Sequence, residues 1–191
     1  MTIDFAAVRA RASTLAMQVA ELTVADLVAE TEQSIGTIEG IIQDATDADV
    51  VFVPEDPEAV DMAAAADDDR NLAWTLGHLI VHVTASAEES AALASELARG
   101  VAFHGRSRWE VPWQAIKTIH ECRERLAESR RIRLASLQMW PDAPPSNVDP
   151  EPSVPSWETA RERFARGLAH EVGHVEQIRD VFGQAKAARG A

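Results

Sequence analysis

The chain has 191 residues, 46% of them hydrophobic and 26% charged, which are ordinary globular values and exclude wholesale disorder or a fibrous repeat. Its length suits one domain, residues 1–191. Its 31 acidic against 18 basic side chains leave a formal net charge of −13, a field that repels phosphate backbones and anionic lipid, so neither nucleic acid nor a membrane is an expected partner.

Residues 4 to 20 and 24 to 45 carry apolar positions at helical spacing, and Thr23 with Asp26 reads as a capping arrangement for the second segment. Residues 46 to 70 break that pattern with Pro54, Pro57 and a run of acidic side chains, and read as a solvated loop of which Val50 to Val53 pack onto the body. Asp67, Asp68 and Asp69 do not form a calcium loop, because the alternating oxygen ligands, glycine and closing glutamate are missing. From Asn71, taken as an N-cap, a long amphipathic helix is expected to about Arg99, with Gly100 ending it. Residues 100 to 111 form a linker, and Pro112 is expected to open a helix to about Leu137. The proline-dense stretch 140 to 156 is a second long connection, and Trp157 to about Gln184 is the last helix. No strand signal and no internal repeat is visible, so the expected fold class is all-α: a bundle of four long helices with a short extra amino-terminal one and two long connections.

One cysteine, Cys122, allows no intramolecular disulfide, and the amino terminus lacks the basic-then-apolar order of a signal peptide. No apolar run approaches the roughly 20 residues of a membrane span. A cytoplasmic location is expected.

Histidine is the informative residue. Of six, four fall into two i, i+4 pairs, His78 with His82 and His170 with His174. Positions four apart share one helix face at about 6 Å, the spacing at which two imidazoles can bind one metal ion. All four lie at the boundary of their helices' apolar stripes, His82 and His174 nearer the core and His78 and His170 further round. The last pair also reads His170-Glu171-Val172-Gly173-His174, which matches the zincin pattern H-E-x-x-H. Residues 175–191 hold no further histidine, Asp180 is the one obvious downstream ligand, and no strand offers an edge for a peptide, so a metalloprotease is not favoured.

The stretches NLAWTLGHLIVHVTASAEES and HEVGHVEQIRDVF resemble the two signature segments of the DinB-like, or YfiT-like, four-helix-bundle superfamily, in helix order over about residues 24 to 184. Its bacillithiol- and mycothiol-dependent transferases and isomerases share a three-histidine metal site. A tryptophan eight residues before the first ligand is matched by Trp74 and His82, and an H-x-x-x-H pair followed by Gln and Ile is matched by His170, His174, Gln177 and Ile178. The resemblance thus implies that His82, His170 and His174 bind a divalent ion, with Zn, Ni, Fe and Mn not distinguished. His78, one turn before the expected ligand, is the designated substitute for His82.

Three neutral imidazoles leave coordination positions open, as at a catalytic metal, where the pKa of a water or thiol falls. The expected activity is a metal-dependent hydrolase or a low-molecular-weight-thiol-dependent transferase on a small molecule. The competing expectation is a non-catalytic metal-binding bundle acting through oligomerisation. A homodimer is an expected assembly on either reading. Around the opening, Glu89 is a base or ligand candidate but reads more simply as a solvated helix charge. His120 reads as a packed core histidine and Cys122 as a small core residue. His104, Arg106, Arg108, Trp109 and Trp113 form a cationic and aromatic group able to hold an anion. Glu171 falls in the apolar stripe and is expected to pair with an inward arginine such as Arg123 or Arg130.

Overall fold

Threonine starts most of the helices. In the computed structural model, which describes residues 3–56, 59–60, 70–106, 112–142 and 159–190, Thr14, Thr23, Thr46, Thr75, Thr118 and Thr159 occupy N-cap positions. At Thr23, Thr118 and Thr159 the threonine hydroxyl accepts from the backbone N–H of an acidic residue three positions on, whose carboxylate accepts from the threonine N–H in return. Each box satisfies N–H groups that have no partner within the helix. The helices are α1 (Phe5–Arg9), capped by Asp4, α2 (Leu15–Val19), α3 (Val24–Ile41), α4 (Asp47–Val50), α5 (Leu76–Ala98), α6 (Ile119–Leu137), α7 (Ala160–Gly173) and α8 (Val175–Ala188), which follows directly on His174. A 3-10 turn, Trp113–Ala115, precedes α6. Among the described residues every regular element is helical, and no helix is long and apolar enough to cross a membrane.

The caps explain where the sequence expectations slip. The amino-terminal helix is two short ones, because Arg11 takes a left-handed φ of 57° and Thr14 restarts the chain. The α5 cap is Thr75 and not Asn71, since the Thr75 hydroxyl accepts from the His78 N–H. Pro112 opens only the 3-10 turn, and the long helix waits for the Thr118–Glu121 box. Gly100 does end α5, with φ at 86°. The last helix is broken at His174, which is the C-cap of α7 and the N-cap of α8. Within the 46–70 loop, Val50 is buried while Val51 and Val53 are exposed. Asp67, Asp68, Asp69, Arg108, Trp109, Trp157 and most of the proline-dense connection lie outside the described residues.

Side-chain contacts give the direction of each helix. His82 meets His170 while Ala87 meets Gly167, so α5 and α7 run antiparallel. Thr84 meets Arg125 while Ser95 meets Ser136, so α5 and α6 run parallel, which their long connection permits. Glu39 meets Arg130 while Gln43 meets Arg123, so α3 runs against α6. The four long elements α3, α5, α6 and α7 therefore follow an up-down-down-up order.

Two apolar clusters fill the bundle. One joins Ile35, Ile38, Leu76, Leu79, Leu126, Ile178 and Phe182, and the other Leu27, Leu97, Leu137, Phe164 and Leu168. Between them lies a polar layer: Arg133 donates to Glu171 at 2.9 and 3.3 Å, and the Ser34 hydroxyl donates to the same carboxylate at 2.5 Å. These three side chains tie α3, α6 and α7 together, and Arg133 and Glu171 are almost fully buried.

The largest helix contact is α5 with α7. It depends on Gly167, where an added Cβ would come to 2.9 Å from both Ala87 Cα and Ser90 Cβ. Gly36 of α3 has nothing within 4 Å of such a Cβ. Urea denaturation should separate the two: Gly167→Ala is expected to destabilise by about 1–3 kcal/mol through overpacking, while Gly36→Ala should stabilise by about 0.5–1 kcal/mol through helix propensity.

Candidate metal centre

His82 lies on α5, His170 in the last turn of α7 and His174 at the α7–α8 break. Each contributes one ring nitrogen to a group lying within 4.8 Å of one another. The closest pair, His82 Nε2 and His170 Nε2, are 3.1 Å apart. Two nitrogens bound to one tetrahedral ion at 2.0–2.2 Å stand about 3.3–3.6 Å apart, so this pair has to open by only a few tenths of an ångström to share a cation. Two facing imidazole nitrogens need a proton or a cation between them, since two lone pairs would repel. His170 Nδ1 is buried and makes no hydrogen bond among the described residues. The donor set therefore suits a divalent ion of the kind that prefers imidazole.

Two of the rings, His170 and His174, are held neutral by their surroundings. Burial, then the neighbouring His174, His82 and Arg106, push the His170 pKa down to about 3. Burial also lowers that of His174, against a hydrogen bond that favours the charged form. This bond joins His174 Nδ1 and Gln177 Oε1 at 2.8 Å. With Nδ1–H donating to an amide oxygen, the lone pair of His174 lies on Nε2. Gln177 in turn donates from Nε2 to Asp56 Oδ2 at 3.4 Å.

Aromatic rings surround the cluster. Trp74, 5% exposed, lies 4.5 Å from the His82 ring and 5.7 Å from that of His174. His78 is buried and stacks between Trp74 at 4.7 Å and Trp113 at 4.5 Å, so it is a member of a three-ring stack and not a boundary residue. It does not join the three-nitrogen group. A cavity of about 370 Å³ opens beside His174, lined by Trp74, Gln177, Glu55, Asp56 and Asp180 among others.

Other sequence candidates fall elsewhere. Glu89 is largely buried and pairs with Arg106 at 2.5 Å, so it is not a solvated charge. His120 is exposed and faces Glu124 at 3.3 Å, because it stands in the first turn of α6 outside the core. His104 pairs with Glu96 at 2.7 Å, and Trp113 covers His78, so the described part of the cationic and aromatic group is turned onto the protein itself. Cys122 is a core residue whose thiol is pushed up to about 12 by burial. Glu171 pairs with an arginine of α6 as expected, but the partner is Arg133: Arg123 bonds the Gln43 carbonyl, and Arg130 bonds Glu32 and Glu39. Asp56 carried no sequence signal, since it lies 121 residues from the Gln177 it contacts.

A family model described as the DinB superfamily matches residues 8–178 of the chain. No curated protein and no solved structure matches it.

Two outcomes follow from this arrangement. Glu171→Gln leaves the Arg133 charge buried without its counter-ion and should cost about 3–5 kcal/mol in urea denaturation, most of it recovered by the apolar pair Arg133→Met with Glu171→Leu. The second concerns acid. Above pH 6.5 His170 is neutral folded or unfolded; as pH falls from 6.5 towards 3 only the unfolded chain takes up the proton, so stability is lost across that window. Metal-free protein should lose stability between pH 7 and 5, measured by denaturant midpoints, and His170→Asn should flatten that slope.

Proposed function

The chain belongs to the DinB superfamily, and from that premise we propose that it binds one divalent cation through His82, His170 and His174 and acts on a small molecule, as a metal-dependent hydrolase or a thiol-dependent transferase. The observation that carries this reading is the convergence of three imidazole nitrogens from α5, α7 and the α7–α8 break within 4.8 Å. Bound there, the ion would supply a nucleophile at neutral pH by lowering the pKa of a water or a thiol. The chain's own residues prepare the place. Burial keeps His170 and His174 neutral and so available as ligands. Gln177 orients His174, as outer partners of metal-binding histidines do. Trp74 excludes water from one side of the cluster, and the cavity beside His174 gives a small substrate a way in. Glu171 is fully buried against Arg133, which argues against the base role that a zincin would require of it.

Titration of metal-free protein with cobalt(II) or zinc(II) tests the ligand set. His82→Ala and His174→Ala should abolish stoichiometric binding, and His78→Ala should retain it. At a hundredfold excess over Kd the ion should raise stability by about 2.7 kcal/mol, and chelation should remove that increment while leaving a folded protein. Binding that survives loss of His174, or that requires His78, would overturn the assignment. Adding a small thiol to the cobalt(II) form should change its visible spectrum if a coordination position is open, whereas a closed structural site would not respond.

A further inference from the structure

We infer that Asp56 is a positioning residue for the histidine cluster: through the Gln177 amide it selects the tautomer of His174. The inference rests on the ligand assignment above but concerns a property of the metal-free chain. The contacts run in series, with His174 Nδ1 at 2.8 Å from Gln177 Oε1 and Gln177 Nε2 at 3.4 Å from Asp56 Oδ2. A primary amide has one accepting end and one donating end, so whatever it meets at one end decides what it offers at the other. A carboxylate accepts hydrogen bonds and donates none. Asp56 therefore draws the NH2 end of Gln177 and turns Oε1 towards His174. Facing an acceptor, His174 Nδ1 must carry the hydrogen, which leaves the lone pair on Nε2. With the amide turned over, its NH2 would face Nδ1, the lone pair would sit there, and Nε2 would carry the hydrogen.

The geometry restricts the alternatives. Gln177 is the third residue after His174, in the first turn of α8, so its reach to the ring is fixed by the helix. The His174 ring lies nearly parallel to Trp74, at an interplanar angle of 21°, which limits its rotation. Asp56 comes from the segment after α4, far away in sequence, and the Gln184 side chain holds that segment to α8 by accepting from the Glu55 N–H at 2.9 Å. The histidine at the α7–α8 break is thus prepared by a residue more than a hundred positions away in the chain.

Ring-nitrogen NMR of metal-free, ¹⁵N-labelled protein reads the tautomer directly, with His174→Gln identifying the signals. Wild type should show Nδ1–H for His174. Asp56→Asn keeps an acceptor for the amide and should retain that form, whereas Asp56→Lys offers only donors and should shift the ring towards Nε2–H. In the Gln177→Glu background, whose carboxylate accepts at both oxygens, Asp56→Lys should leave the tautomer at Nδ1–H. Cobalt(II) affinity should fall about 10–100-fold in Asp56→Lys and stay within about threefold in Asp56→Asn, the range seen for outer-shell partners. An Nδ1–H ring in Asp56→Lys, or the same tautomer shift with Gln177→Glu present, would overturn the inference. Wild type that fails to bind cobalt(II) would overturn the proposed function instead, and the NMR result would still decide the role of Asp56.

Discussion

The close approach of α5 and α7 at Gly167 governs the site. Because Gly167 has no side chain, Ala87 and Ser90 come within contact of its backbone, and this sets the separation and register of the two helices. Three residues further along α7, and five back along α5, the same register brings His170 and His82 to 3.1 Å. A side chain at Gly167 would widen the pair where the imidazoles must meet. Small residues on α5, with Ala87, Ala91 and Ala94 all buried, continue the close contact along the helix.

Placing three imidazoles in the interior works against stability, because a buried imidazole keeps its polar nitrogens but loses water. The chain offsets part of this with directed partners: Gln177 for His174, the facing Nε2 atoms of His82 and His170, and tryptophan faces for His78 and His82. The Arg133–Glu171–Ser34 layer is a different kind of buried polarity. It ties three helices by charge-assisted hydrogen bonds and leaves the carboxylate fully enclosed, so it fixes which faces of α3, α6 and α7 meet. In an otherwise apolar interior, such a layer penalises any register that would leave Arg133 or Glu171 without the other.

What the sequence made legible was whatever is local. Helical periodicity marks α3 and α7, the Thr23–Asp26 box fixes the start of α3, and the two i, i+4 histidine pairs together with the family resemblance point to His82, His170 and His174. The errors lie where a local rule had a competitor. Asn71 and Thr75 are both capping residues, and only the fold chooses between them. Pro112 suits a helix start, yet the Thr118–Glu121 box a turn and a half later begins the long helix. His120 falls near the apolar stripe of its helix, yet it stands in the first turn of α6, where it is left exposed. Arg123, Arg130 and Arg133 lie on one helix, and which of them meets Glu171 depends on the tertiary offset between α6 and α7. Asp56 carries no local signal for the same reason: its contact with Gln177 spans 121 residues.

The acidity of residues 44 to 56 then takes on a structural meaning. Read alone, the run is a solvated loop, and its charge explains only repulsion of anions. In the fold, Asp44 meets Lys186 at 2.7 Å, Asp49 meets Arg189 at 2.9 Å, and Asp56 meets Gln177, so three acidic side chains of the run face α8 and its C-cap, while Asp47 accepts from the Ile119 N–H at the start of α6. The pair with Lys186 is exposed and adds little by itself, but Asp49 is 1% exposed and cannot be left without a partner cheaply. The helix they hold begins directly after His174, the residue at which α7 ends. Two restraints therefore meet at one histidine: α7, packed tightly against α5, sets where its backbone begins, and the acidic segment, through α8, sets how its ring is presented.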